Sequence, residues 1–217
     1  MTEPVIVIGS GGHAAVVADA LLASGKQVIG FTDTDPTRYG QLLCGLPVLG
    51  SDHVLQDRDR AALRLANGIG GTGSAESKNV RRAVQENLES LGWRFVGVRH
   101  PSAIVSRFAS VGDGVHLLAS CVIQAGAVIG DGCIVNTAAV VEHDATIGRY
   151  THVACGAVLC GAVSIGTGSH IGAGAVVRQG VRLGDEVVVG AGAVVVEDSQ
   201  CGATLVGVPA REKRISV

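Results

Sequence analysis

Aromatic residues make up only 3% of this 217-residue chain. A core with so few rings must be built from Val, Ile, Leu and Ala, which suits thin, regular packing better than a bulky globular core. Charge is scarce as well: 17% of residues are charged and the net charge is −2. That balance points neither to nucleic acid nor to an anionic membrane. No apolar run reaches the roughly 18 to 20 residues of a membrane helix. The opening "MTEPVIVIGSGG" has no basic start and breaks at glycine. A signal peptide is therefore not expected, and a cytoplasmic location is. The six Cys contain no CxxC pair. They read as small buried residues or inert surface thiols, with no metal site expected.

What is present divides the chain into two halves with different periods. Residues 4 to 99 alternate strand and helix patterns. "PVIVIG" reads as a buried strand and "HAAVVADALLASG" as a helix stopped by Gly25. "QVIGFTD" and "ALRLANGIGG" each carry a further strand. "AESKNVRRAVQENLESLG" is an amphipathic helix ending at Gly92, and "WRFVGVRH" is a fourth strand. Such alternation implies an α/β domain with a small Rossmann-like parallel sheet over residues 1–100.

Past Pro101 the pattern becomes a repeat. Every sixth residue from Val105 to Val195 is Val, Ile or Leu, and four residues after each one stands a small residue. Gly112, Gly130, Gly148, Gly166 and Gly184 add a period of eighteen. Three six-residue sides then make one coil, with the small residue and the next aliphatic residue pointing inward. Glycine is expected at one corner because the backbone turns sharply there. Residues 101–217 are thus expected to form a parallel β-helix of hexapeptide repeats with a C-terminal cap. Periodicity does not give its handedness.

The aliphatic–Gly hexapeptides, the lead-in "RHPSAIVS" and the tail "LVGVPAR" resemble the left-handed β-helix acyltransferases. With "VIVIGSGGHA" placed before them, nearly the whole chain resembles the sialic-acid, bacillosamine and perosamine type of sugar O/N-acetyltransferase. The resemblance implies a left-handed β-helix, acetyl-CoA as co-substrate and an activated sugar as acceptor.

Within the apolar repeat, "VVEHDATIG" sets Glu142, His143 and Asp144 side by side. His143 is the second residue after the inward Val141, so it falls at an exposed corner of the middle coil. A solvated charged corner is the bland alternative. The "EHD" spacing matches the family's catalytic His followed by a carboxylate. Acyl transfer to an amine needs a proton acceptor, and a His with an ordinary pKa of about 6.5 supplies one near neutrality. Asp144 is the expected carboxylate partner, with Glu142 as the other candidate. His152 lies mid-side and outward, in a column with His116 and His170 that Ile134 interrupts. The resemblance implies that His152 contacts acetyl-CoA near its thioester, and that the main chain at Ala173 and Ala191 meets the pantetheine arm. Cys121 and Cys133 fall at inward small positions and Cys155 and Cys160 near corners.

"GSGGHA" follows a strand and opens a helix, and Asp33 ends the next strand. That spacing resembles a dinucleotide fingerprint, which makes NAD binding a rival reading. About 100 residues are too few for a full two-lobed dinucleotide fold. The same loop geometry also binds other phosphates. The family resemblance implies a nucleotide-sugar site at Gly11, Gly12 and His13, at Asp33 and Thr34, and at Gly70 and Gly71. All three loops lie at the C-terminal ends of strands, where open parallel sheets bind ligands.

The expected activity is acetyl-CoA-dependent N-acetylation of a nucleotide-linked 4-amino-4,6-dideoxy sugar of the GDP-perosamine or UDP type. The rivals are O-acetylation of a sialic acid or related sugar and a scaffold that binds nucleotide sugar without turnover. Outward apolar residues such as Val122, Val128, Val140, Val158 and Val176 predict a homotrimer built on flat prism faces.

Overall fold

A computed structural model describes residues 3–71 and 75–213. The chain divides into two compact units, Met1–Pro101 and Ser102–Val217.

The first unit is an α/β sandwich. Its strands are β1 (Val5–Ile8), β2 (Val28–Thr32), β3 (Leu42–Leu43), β4 (Leu46–Gly50) and β5 (Arg64–Asn67), in the order β3-β4-β2-β1-β5. β1 pairs parallel with β2 and β5, and β2 parallel with β4. Every residue of β1 is buried, as its unbroken aliphatic run requires of a central parallel strand. Helices α1 (Gly12–Ala23) and α2 (Ala75–Ser90) complete the unit. α1 buries Ala14, Val17, Ala18 and Leu21. α2 closes where the N–H of Gly92 and of Trp93 return to the carbonyls of Glu89 and Leu88.

Two features depart from the sequence reading. The β3–β4 hairpin is additional; it turns at Cys44 and Gly45, both with positive φ. Within the expected fourth strand over "WRFVGVRH", Val98–Arg99 is strand but lies outside this sheet, which the stretch meets through one parallel bridge, Leu65 to Phe95. Among the described residues, no helix is long and apolar enough to cross a membrane.

The second unit is a prism of stacked three-sided coils. Two-residue strands eighteen residues apart pair in parallel along each side. The first side carries Val122–Ile123, Val140–Val141 and Val158–Leu159; the second carries Val128–Ile129 and Thr146–Ile147; the third carries Ile134–Val135, His152–Val153 and His170–Ile171. The aliphatic and small residues of the six-residue rule fill the interior, from Cys121 and Ile123 to Ala193 and Val195. With so few rings, this core gains its cohesion from continuity along the coils: each methyl-bearing layer packs on the next.

The corners correct one expectation. Every sixth residue from Gly114 to Gly192 has a positive φ, whether it is glycine or not; Ser120, Ala138, Asp144, Tyr150, Ala162 and Glu186 share the conformation. Those residues make the turn. The glycines spaced by eighteen do not have positive φ, and they answer to a different constraint. A Cβ on Gly148 would lie 2.5 Å from the backbone nitrogen of Thr167, and one on Gly130 would lie 2.8 Å from that of Arg149. They are glycine because the next coil passes too close for a side chain. Val128 also stands on the second side, apart from the Val122, Val140, Val158 and Val176 column of the first.

Candidate active site

The corner after the first side carries the charged triplet. Asp144 occupies the left-handed turn position at φ 59°, which Asp tolerates better than most residues. This turn brings its carboxylate back to its neighbour, so that His143 Nδ1 lies 2.8 Å from Asp144 Oδ2. A carboxylate only accepts, so Nδ1 carries the hydrogen and Nε2 presents a lone pair. Glu142 makes no hydrogen bond to the ring among the described residues. Both members of the pair are more than half exposed, at 55% and 67%. The ring is therefore reachable from solvent.

Sequence reading missed what lies beneath the ring. Gly161 is eighteen residues on and stacks directly against His143. A Cβ there would lie 2.5 Å from Nε2 and 2.6 Å from Cε1. Gly126, eighteen residues before Asp144, likewise leaves room for its carboxylate. The signal was available: adding or subtracting eighteen names the residue stacked on any functional corner. Gly161 has no positive φ, so the backbone accepts alanine there. Gly161→Ala is expected to leave the melting temperature unchanged while the ring swings away. On our assignment of His143, kcat then falls roughly ten- to hundredfold, as misplaced catalytic groups do. Thermal denaturation beside steady-state kinetics checks this; an unchanged kcat removes Gly161 as the seat of the ring.

His152 lies on the third side. Its Nε2 is 3.1 Å from Asn136 Nδ2, which donates to it, and its ring meets His170 edge-on at 5.0 Å. Ile134 stands between His116 and His152 in the ladder. Among the described residues no group of three or more His, Cys, Asp or Glu is placed to hold a metal. Ala173 and Ala191 are exposed and stacked at the corner after the third side, linked through Gly192 N–H to Ala173 O at 2.8 Å. One chain thus brings His143 and Asp144 together, and sets His152, Ala173 and Ala191 on a different side and corner. Cys121 and Cys133 are core; Cys155 is exposed and Cys160 half-buried.

In the first unit, Gly11 caps α1 and Gly12 opens it. A Cβ at either would meet nothing within 4 Å. The surrounding protein does not itself require glycine there, and the first N–H groups of α1 stay approachable by an anion. Gly70 packs on His13, where a Cβ would lie 3.1 Å from the His13 Cβ. Burial, and then the Arg81 cation, lower the His13 pKa from 6.5 to about 4, so the ring is neutral at neutral pH. Arg81 Nη1 donates to Asn67 O at 2.9 Å and Ile69 O at 2.8 Å, fastening the "NGIGG" loop to α2.

Asp33 directly follows β2, and its carboxylate is occupied from within the chain. The Ser10 hydroxyl and N–H donate to Oδ2, the Asp35 N–H donates to Oδ1 at 2.9 Å, and Arg38 stands 3.7 Å away. Partial burial pushes its pKa up, but Ser10, Asp35 and Arg38 outweigh that and hold it below the usual carboxylate value. A pocket of about 210 Å³ opens beside it. Thr32, Asp33, Thr34 and Asp52 line one part, and Ile8, Ile69, Val80 and Val84 another. Thr32 is fully buried and donates its hydroxyl to Asp52 Oδ1 at 2.6 Å. Asp33 and Thr34 were read from the sequence. Thr32, Asp52 and the aliphatic wall were not.

A three-sided β-helix with a His–carboxylate corner, preceded by a small parallel-sheet domain, defines a hexapeptide-repeat transferase. Family matches agree: the PglD N-terminal domain over residues 4–88, the bacterial transferase hexapeptide over 144–179 and the hexapeptide repeat of succinyl-transferase over 162–197. The acetyltransferase domain of PglB from Neisseria gonorrhoeae is 37% identical, with 98% of this chain and 100% of that one covered and a TM-score of 0.89. PerB from Caulobacter crescentus, solved with CoA and GDP-perosamine, is 38% identical over 97% of both chains, with a TM-score of 0.88. WeeI from Acinetobacter baumannii is 25% identical over 96% of this chain and 99% of that one, at 0.77. No curated protein sequence matches significantly. The chain belongs to the family of left-handed β-helix sugar acetyltransferases that carry a PglD-type N-terminal domain.

Proposed function

We propose that this protein transfers an acetyl group from acetyl-CoA to the amine of a nucleotide-linked 4-amino-4,6-dideoxy sugar. The observation that carries the reading is the His143–Asp144 pair seated over Gly161. Asp144 holds the hydrogen on Nδ1, and Nε2 is the base. The co-substrate brings an already activated thioester, so no covalent enzyme intermediate is required. As the amine nitrogen bonds to the carbonyl carbon and the C–S bond breaks, His143 takes the amine proton and returns it to the departing sulfur. His152 with Asn136, and the exposed backbone at Ala173 and Ala191, are the proposed coenzyme contacts. The first unit is the proposed nucleotide-sugar domain, through Gly11, Gly12, His13, Asp33, Thr34, Gly70 and Gly71. The ligands held by PerB, GDP-perosamine and CoA, support the substrate class. Incubation with acetyl-CoA and a GDP- or UDP-linked 4-amino sugar is expected to add the mass of one acetyl group, stable to mild base as an amide is. Product lost in mild base would instead indicate an ester, and no product with any amino sugar would refute the reading.

The reading includes a trimer. The outward residues of the first side, Ile104, Val122, Val140, Val158, Val176 and Val194, form one apolar column of exposed or half-buried side chains. Three copies with this side toward a common axis bury it. They also set the His143 corner of one copy against the Ala173–Ala191 corner of the next, since these corners flank the same side. That places base and coenzyme groove together, which one chain does not. Sedimentation is expected to give a trimer; a fully active monomer would overturn both the assembly and the shared site.

A further inference from the structure

We infer that Asp52 selects the nucleobase of the substrate and that it selects guanine. The inference rests on reading the first unit as the nucleotide-sugar domain. The dinucleotide fingerprint assigns its acid, here Asp33, to a ribose hydroxyl. In this chain that carboxylate is already engaged by Ser10, Asp35 and Arg38. It positions the glycine loop against the end of β2. The other carboxylate of the pocket is Asp52, which follows β4 and comes from outside the fingerprint.

Asp52 is held in place from one side only. The fully buried Thr32 donates to its Oδ1 at 2.6 Å, and its Oδ2 takes no hydrogen bond from the described residues. A carboxylate offers about four lone-pair sites, so most of its accepting capacity remains for a ligand. The same pocket is lined by Ile8, Ile69, Val80 and Val84. Branched aliphatic side chains suit the face of a flat heterocycle, and a fixed carboxylate suits an edge made of donors. Guanine presents two adjacent donors on one edge, N1–H and the 2-amino group. Uracil and thymine present a single N–H flanked by carbonyl oxygens, which a carboxylate repels. Adenine sets its amino group beside a lone pair. A site that hydrogen-bonds a donor rejects analogues lacking it far more strongly than an apolar pocket rejects a shape.

The test is calorimetric titration of the full-length protein with GDP, UDP and inosine diphosphate, which is GDP without the 2-amino group. Wild type is expected to bind GDP about tenfold or more tightly than either of the others, the worth of one hydrogen bond to a charged group. Asp52→Asn still accepts the Thr32 hydroxyl, and is expected to weaken GDP about tenfold while UDP changes by less than about twofold. Equal loss of GDP and UDP would make Asp52 a ribose contact and overturn the proposal. Binding of UDP as tight as GDP by wild type would overturn it too, and needs no variant. Should none of the three diphosphates bind, the nucleotide-sugar domain itself fails and takes this proposal with it. That outcome is distinct from binding without guanine preference, which leaves the domain standing.

Discussion

His143→Ala is expected to lower kcat by roughly 10²-fold or more at neutral pH with saturating substrates, the usual contribution of a positioned general base. KM for acetyl-CoA should change little, because the base acts on the amine. The residual rate should rise with pH, since a growing fraction of the sugar amine then loses its proton to water. Asp144→Asn should fall between wild type and His143→Ala. An amide keeps the shape but can donate to Nδ1, which moves the ring hydrogen to Nε2 in a fraction of molecules and blocks the base there. Steady-state kinetics over pH with all three proteins decides the matter. If His143→Ala and wild type turn over within a factor of about three, far below what a general base contributes, then the triplet is only a charged corner.

The repeat half was legible because its contacts are periodic. A residue in the prism packs on the residues eighteen before and eighteen after it, so a linear pattern encodes the tertiary neighbours. The sequence therefore located the inward aliphatics, the corner of His143 and the mid-side position of His152. It misread the corner glycines because absence of a side chain has two physical uses, a left-handed φ and a close approach, and the letter is the same for both. Here the left-handed positions fall three residues after each inward aliphatic, where Asp144 and Tyr150 also fit. The period-eighteen glycines serve the close approach.

The first unit was less legible because its contacts are not periodic. The β3–β4 hairpin turns on Cys44-Gly45, and two-residue turns of this kind are usually announced by Asn-Gly or Asp-Gly. Pro47 in the returning strand further weakens the strand signal. Asp33 was visible as an acid after a strand; that Ser10, 23 residues before it, closes on its carboxylate is a tertiary fact. The Thr32–Asp52 bond joins the ends of two parallel strands, and nothing in the local pattern of either announces it.

The largest effect on stability is expected from Gly148→Val. The added Cβ would lie 2.5 Å from Thr167 N, 2.6 Å from Gly166 C and 2.9 Å from Thr167 Cα. All three are backbone atoms of the adjacent coil, so no side chain can rotate out of the way. The coils must separate locally instead, which weakens hydrogen bonds such as Gly148 N–H to Ile165 O at 2.8 Å. Overpacking of this kind costs about 3 kcal/mol or more. For a chain of this size that lowers the melting temperature by roughly 10 °C. Gly180→Ala is the matched control. Gly180 has φ +73° with nothing within 4 Å of a Cβ, and Ala138 and Ala162 already hold the equivalent turn position. Its cost should be only about 1 kcal/mol, that of a left-handed alanine. Thermal and urea denaturation at one protein concentration separate the two cases. If Gly148→Val melts with wild type, or no lower than Gly180→Ala, close approach between coils is not what keeps glycine at that corner.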